Sequence, residues 1–299
     1  MTSSKLLIVF CVAFSIVTGV AAQKRIRTNE RGYFGPVANV RAETVGYSIE
    51  AGKLRQGKRK LDSIEHFDTA GRLIQEQFFT YDGSILYQYK YLYDSMGRRL
   101  EASGTHSKFT YLPDRIAYVY DSVGNLVTEN GFNSQGKLVN KSDYGYDEKR
   151  RKIRRASMSY HPEERSKPHQ WTYDYYENGL VKEERAFADE GAGFRPTDSL
   201  GAPHRKFIMY NSQNKPAVVL RYNVNDALAG LESIVYDERG NELEETEYDS
   251  TGALKNRTKY SYRFDKFGNS VVQKTYEWDS ETRTYQLNEI HYQRIEYRR

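Results

Sequence analysis

One pattern constrains this chain more than any other: an aromatic residue, Asp, two variable residues, Gly, and then an aliphatic side chain. It recurs in HFDTAGRL (66–73), YLYDSMGRRL (91–100), YVYDSVGNL (118–126), IVYDERGNEL (234–243), EYDSTGAL (247–254) and YRFDKFGNSV (262–271). Degenerate copies stand at FFTYDGS (78–84), FNSQGKL (132–138), YGYDEKRRKI (144–153), YDYYENGL (173–180) and MYNSQNK (209–215). Asp68, Asp94, Asp121 and Asp147 return every 26 or 27 residues, and weaker copies at Asp82 and Asn133 halve that interval. Repetition at a fixed period marks a fold built from one supersecondary unit. Here the unit is one strand and one turn.

Asp at the first turn position can accept a hydrogen bond from the N–H two residues on, and Gly at the fourth tolerates positive φ, so each copy reverses the chain. Upstream of the turns the rings share a parity: Tyr87, Tyr89, Tyr91 and Tyr93; Tyr118 and Tyr120; Tyr144 and Tyr146; Tyr260, Tyr262 and Phe264. Equal parity in a strand means one face. The expected fold is all-β, a long antiparallel meander of repeated hairpins of roughly 16–20 strands. Sheets of more than about ten strands curl or split, so it should coil into an open roll or spiral sheet. Its edges would be covered by residues 23–45 and by the charged C-terminal HYQRIEYRR.

The distance from Asp to the next aliphatic residue takes two values. It is five after Asp68, Asp121 and Asp249 (Leu73, Leu126, Leu254) and six after Asp94, Asp147, Asp237 and Asp265 (Leu100, Ile153, Leu243, Val271). Because a one-residue slip turns a strand over, two hairpin types are expected, the longer carrying a bulge.

At the N-terminus Lys5 precedes the apolar run LLIVFCVAFSIVTGV and Ala21-Ala22, the pattern of a secretory signal peptide over 1–22 with cleavage before Gln23. Cys11 is the only cysteine. A mature chain from Gln23 would therefore lack disulfides, thiolate catalysis and Cys-ligated zinc. Removing Lys5 from the formal charge of +5 leaves +4, interspersed and selecting no partner. With 26 Tyr, 13 Phe and a mean hydropathy of −0.81, the chain is too polar for a lipid-facing barrel and too aromatic for disorder. No membrane span is expected after signal cleavage.

Residues 23–299 read as a single repeat domain with an irregular insertion at about 156–207, where Pro162, Pro168, Pro196 and Pro203 fall. Inside it, 171–187 still reads as a hairpin.

These copies resemble the YD repeats of Rhs-type proteins, whose units read aromatic-x-Tyr-Asp-x-x-Gly-Arg/Asn-Leu. FDTAGRL (67–73), YDSMGRRL (93–100), YDSVGNL (120–126) and YDERGNEL (236–243) carry the likeness. The YENGL stretch (176–180) is also similar to the short repeats of MORN-like antitoxin proteins. In large Rhs and teneurin-like proteins the resemblance implies a β shell that encloses a toxin or presents a binding surface. For a chain this short, a complete shell is not expected.

No catalytic constellation stands out. The repeated Asp residues are explained by their turns. His161, His169 and His204 lie in the irregular stretch without metal-ligand spacing, and no phosphate loop or nucleophile elbow is present. No cofactor, metal or nucleic acid is expected. The basic runs KLRQGKRK (53–60) and EKRRKIRR (148–155) read as solvated faces, with an anionic glycan or the cell envelope as the polyanion of choice if they grip one. The expected function is an exported, secreted or periplasmic, non-enzymatic scaffold that offers rings to a glycan or an envelope protein, with Tyr87, Tyr89, Tyr91, Trp171, Tyr173 and Trp278 as binding residues. Two alternatives stand beside it: a stand-alone relative of an Rhs-type toxin system acting through a protein partner, and a hydrolase with its site on the 156–207 insertion.

Overall fold

The structure is a computed structural model that describes residues 30–107, 112–160, 169–188 and 204–299. The signal-peptide reading of 1–22 and much of the expected insertion lie outside the described residues. The first half of the chain forms β1 (Val37–Glu50), β2 (Lys53–Gln56), β3 (Lys60–Phe67), β4 (Leu73–Phe79), β5 (Ile85–Tyr93), β6 (Arg99–His106), β7 (Arg115–Tyr120), β8 (Leu126–Phe132) and β9 (Leu138–Tyr146). The second half forms β10 (Lys152–Ser159), β11 (His169–Tyr175), β12 (Val181–Ala188), β13 (Arg205–Tyr210), β14 (Pro216–Tyr222), β15 (Leu228–Tyr236), β16 (Glu242–Asp249), β17 (Leu254–Phe264), β18 (Ser270–Asp279) and β19 (Thr284–Tyr297). The expected hairpin over 171–187 is β11–β12, joined in register from His169↔Ala188 to Tyr175↔Val181.

The sheet is not an open roll or spiral. β1 pairs with β19 from Val37↔Tyr297 to Gly46↔Glu289 and with β3 on its other side, which closes an 18-strand antiparallel barrel. The short β2 lies outside that circuit, paired only with the projecting end of β1. The two segments expected to cover the edges are thus themselves the closing pair. Closure satisfies both open rows of backbone N–H and C=O groups, which a coiled sheet would leave exposed.

Every strong turn shares one backbone chemistry. The Asp68 N–H donates to the Arg72 carbonyl at 2.9 Å, and the Gly71 N–H donates to the Asp68 carbonyl at 3.0 Å. Asp68 Oδ1 accepts from the N–H groups of Ala70 and Arg72, both at 2.9 Å, and Oδ2 accepts from Arg72 Nε at 2.6 Å. Asp94 with Arg98, Asp121 with Asn125 and Asp237 with Asn241 repeat the arrangement, which gives the Arg/Asn after the glycine its role. In FFTYDGS the first turn position is held by Thr80 and not by Asp82, because Thr80 exchanges the closing bonds with Gly83 and Ser84.

The expected pair of hairpin types is a single type. In all these reversals the residue before Asp faces the fifth residue after it, and the sixth is extra: Phe67↔Leu73 is followed by His66↔Gln75, and Tyr93↔Arg99 by Leu92↔Glu101. The bulge absorbs one residue every time, so a shifted aliphatic does not turn the strand over. It changes sides instead. Among the turns on the side of Asp68, Leu73 at the fifth place is fully buried, whereas Leu100 and Ile153 at the sixth are 45% and 40% exposed.

The tyrosine parity is the concave one, since residues of that parity from β4 through β11 line a common recess. The core gathers there: Val40, Phe67, Leu73, Tyr89, Tyr91 and Ala102 are buried, with Tyr33, Tyr118 and Ile295 packed against them. The opposite parity carries exposed side chains such as Leu92, Val119 and Val235.

Candidate functional site

The turns at Asp68, Asp94, Asp121, Asp147, Asp237 and Asp265 share one rim with the chain end at Tyr297. This terminal rim is closed internally by residues 30–36. The Glu30 N–H donates to the Gly71 carbonyl at 3.2 Å, and the Glu30 carboxylate accepts from Arg99, from Tyr93 Oη at 2.9 Å and from the Leu73 N–H at 3.1 Å. Arg31 bridges Glu65, at 3.0 Å, and Glu76. Burial works against that guanidinium's charge, but the flanking carboxylates of Glu76 and Glu65 win and hold its pKa up. At Glu65 burial prevails instead: desolvation raises it above the usual carboxylate range despite Arg31. Phe34 exchanges two hydrogen bonds with the Asn269 side chain, at 2.7 and 2.8 Å, which pins the segment across the barrel mouth.

Above this strap, from Tyr91 toward Leu112, Pro113 and Ser159 at the opposite rim, lies a recess of about 600 Å³. Its wall places Tyr87, Tyr89, Tyr91 and Tyr118 beside Glu76, Glu129, Asn140, Ser142, Ser157, Arg155 and His169. Each comes from the inward parity of its strand, which is why eight successive strands contribute to one space. Gly104 in β6 lets the wall close up: a methyl there would strike the Gln88 carbonyl and sit 2.5 Å from the Tyr89 ring. Tyr89 donates its hydroxyl to the Pro113 carbonyl at 2.6 Å, and burial pushes its pKa up to about 12. Tyr91 donates to Glu76, and burial with that carboxylate raises it further still.

Of the expected binding residues, the structure brings Tyr87, Tyr89 and Tyr91 together in the recess. Trp171 and Tyr173 face inward on β11 beyond its wall, and Trp278 stands on the outer face opposite Tyr285. Each ring already has neighbours. Tyr87 stacks on Phe78 at 4.6 Å, Arg99 lies 4.1 Å over Tyr91, Lys152 4.7 Å over Tyr173 and Arg155 5.0 Å over Trp171. Trp278 meets Tyr285 edge-on at 5.1 Å.

Sequence reasoning missed the polar half of the wall. Tyr118 was legible by its shared parity with Tyr120, and Arg155 lay inside a basic run already singled out. Nothing in the local pattern marked Glu129, Asn140, Ser142 or Ser157. Their convergence depends on closure. His161 and the 189–203 stretch fall outside the described residues, and among the described residues no three His, Cys, Asp or Glu side chains gather as a metal cage.

No protein-family model matches the chain, and no curated protein of significant similarity was found. Similar solved structures include the toxin complex TcdB2-TccC3-Cdc42, at 12% identity and a TM-score of 0.41, over 86% of this chain and 14% of that one. A porin-like protein from Bacteroides uniformis matches at 10% identity and a TM-score of 0.40, over 88% of this chain and 98% of its own. A second, from Bacteroides vulgatus, matches at 11% identity and a TM-score of 0.35. This chain spans about one seventh of the TcdB2-TccC3-Cdc42 chain it matches. At these scores the likenesses assign no function.

Proposed function

We propose that this chain is an exported, non-enzymatic binding protein of the cell envelope, secreted or periplasmic, that takes part of a glycan into the barrel recess. The carrying observation is the recess itself: four tyrosine rings share a wall with carboxylate, amide, hydroxyl and guanidinium groups. Rings offer flat apolar faces to the C–H surface of a sugar, and the polar groups answer its hydroxyls, a mixture suited to saccharides and poorly matched to a purely apolar ligand. A water-facing exterior is supported by charge pairs on the outward parity, Arg115 with Glu101 at 3.2 Å and, at mid-strand, Lys141 with Asp143 at 2.8 Å. Such positions are costly against lipid.

Calorimetric titration of the full chain with a panel of cell-wall and other oligosaccharides tests the proposal. Binding that Tyr118→Ala weakens without lowering the melting temperature by more than a few degrees supports it. Absence of binding to every member, or binding that Tyr118→Ala and Trp171→Ala both leave untouched, contradicts it.

A second reading, a short stand-alone relative of the Rhs-type YD-repeat proteins acting through a protein partner, is supported by the turn geometry. The Asp, Gly and Arg/Asn of that repeat each have a defined bond here. Co-purification from the native host that returns one stoichiometric partner favours it, and a clean monomer in repeated pull-downs removes it.

A further inference from the structure

The interior arginines come with matching carboxylates, with a single exception at the recess. Arg31 meets Glu65 and Glu76, Arg99 meets Glu30, and Arg221 meets Glu232. Arg155 meets none. Its neighbours across the sheet are Tyr144 on β9 and Trp171 on β11, both aromatic, and its Cζ lies 5.0 Å over the Trp171 ring. Its Nε is shut off from solvent with no hydrogen-bond partner. Among the described residues, Arg155 makes no hydrogen bond and no ion pair.

Four other members of its basic run are already engaged. Arg150 donates to the Val123 carbonyl at 2.8 Å, and Arg151 bonds Asp147 at 2.6 Å. Lys152 covers Tyr173 at 4.7 Å, and Arg154 reaches Gln170 at 3.4 Å. Arg205 and Arg257 also bury an Nε without a hydrogen bond, but each faces a carboxylate, Asp226 at 3.0 Å and Glu244 at 3.6 Å, whereas among the described residues Arg155 faces none. Because Arg155 lines the recess, its Nη groups can take a carboxylate there through two parallel bonds.

Resting on the saccharide reading of the recess, we infer that the bound sugar is acidic: Arg155 pairs with the carboxylate of a uronic-acid-type residue. Tyr118, Ser142 and Ser157 then flank the same ring, the serines already being within 2.5 Å of one another across β9 and β10.

The test uses sugars matched in everything but charge. Oligogalacturonate, alginate oligomers and hyaluronan oligomers are each titrated into the full chain beside their own carboxyl methyl esters. At least one acid is expected to bind about tenfold or more tighter than its ester, the range of one charge-assisted bidentate contact. Arg155→Gln should bring acid and ester to equal affinity, and Arg155→Lys should keep part of the preference. Because Arg155→Gln breaks no ion pair and loses only the contact with Trp171, its ligand-free melting temperature should stay within a few degrees of the parent's, whereas loss of a structural ion pair would lower it further. Acid and ester binding alike, or a preference that survives Arg155→Gln, overturns the inference and leaves the saccharide reading standing. Failure of every pair to bind overturns the inference, while the saccharide reading falls only if the wider oligosaccharide panel fails as well.

Discussion

Tyr120 donates its hydroxyl to the carbonyl of Arg99 across 2.9 Å, and so ties one reversal of the terminal rim to the reversal before it. The bond recurs. Tyr93 reaches the Leu73 carbonyl at 2.6 Å, Tyr146 Leu126 at 2.8 Å, Tyr175 Lys152 at 2.6 Å, Tyr210 Val181 at 2.9 Å and Tyr236 Pro216 at 2.9 Å. In each case the acceptor is the fifth residue after the preceding Asp or its substitute, beside the bulge, where ladder pairing is interrupted. The tyrosine before the turn therefore supplies a bond that the turn's own geometry leaves open. Where the chain ends, Arg298 completes the ring by donating to the carbonyls of Val37, at 2.7 Å, and Phe67.

Tyr120→Phe should cost about 0.5–1.5 kcal/mol, the net worth of one such bond. Phe264 stands at the corresponding place before Asp265 and lacks the hydroxyl, so Phe264→Tyr, aimed at the Glu242 carbonyl, should be neutral or stabilising by a similar amount. Urea unfolding of both variants measures the pair.

Gly97 holds φ at +79° in the Asp94 turn, while Asn214 occupies the matching place in its own turn at +59°. A side chain in that region costs about 1–2 kcal/mol, less for Asn. Gly97→Ala should destabilise by about that amount, and Asn214→Gly should leave stability level or slightly raised. Thermal melts of the two substitutions decide it.

Acid should loosen the Asp turns first. At Asp68, slight burial pushes the pKa up, but the Arg72 N–H and guanidinium outweigh it and hold the group below the usual carboxylate range. At Asp94 the Arg98 N–H is the leading cause of the same depression. A depressed folded pKa gives stability that is present above the unfolded value, near about 3.9, and is lost as pH falls through the lower folded ones. Hydrogen exchange at pH about 5 and about 2.5 should show the turn amides of Ala70 and Met96 losing protection ahead of the strand centres.

Alkali acts through the rings. Burial pushes Tyr89, Tyr93, Tyr144, Tyr236 and Tyr262 each up to about 12. Their raised values mean that stability is full below the unfolded pKa near about 10 and declines as pH rises toward 12. Phenolate absorbance should rise in two phases, exposed tyrosines first and the inward ones only with loss of the β-sheet circular dichroism signal.

Much of this architecture was legible in the chain. The Asp-x-x-Gly copies placed the reversals, and the shared parity of Tyr87, Tyr89, Tyr91 and Tyr93 placed one face. Closure was not legible, because pairing of Val37 with Tyr297 is a contact between chain ends and leaves no local mark. The single hairpin type was also hidden. A sequence shows where Leu73 and Leu100 stand, but not that a bulge admits an extra residue in both turns. The recess followed closure into obscurity: Glu129 and Arg155 are ordinary strand residues until the sheet curves and brings their faces together.

Hydrogen exchange along β1, resolved residue by residue from Val40 to Val45, reaches the closed barrel most directly. With partners on both sides, in β3 and in β19, consecutive amides should all be protected to a degree comparable with those of a mid-sheet strand such as β16. Fast exchange at alternate amides of β1, matched by alternate fast amides in β19, would mean two free edges and an unclosed sheet.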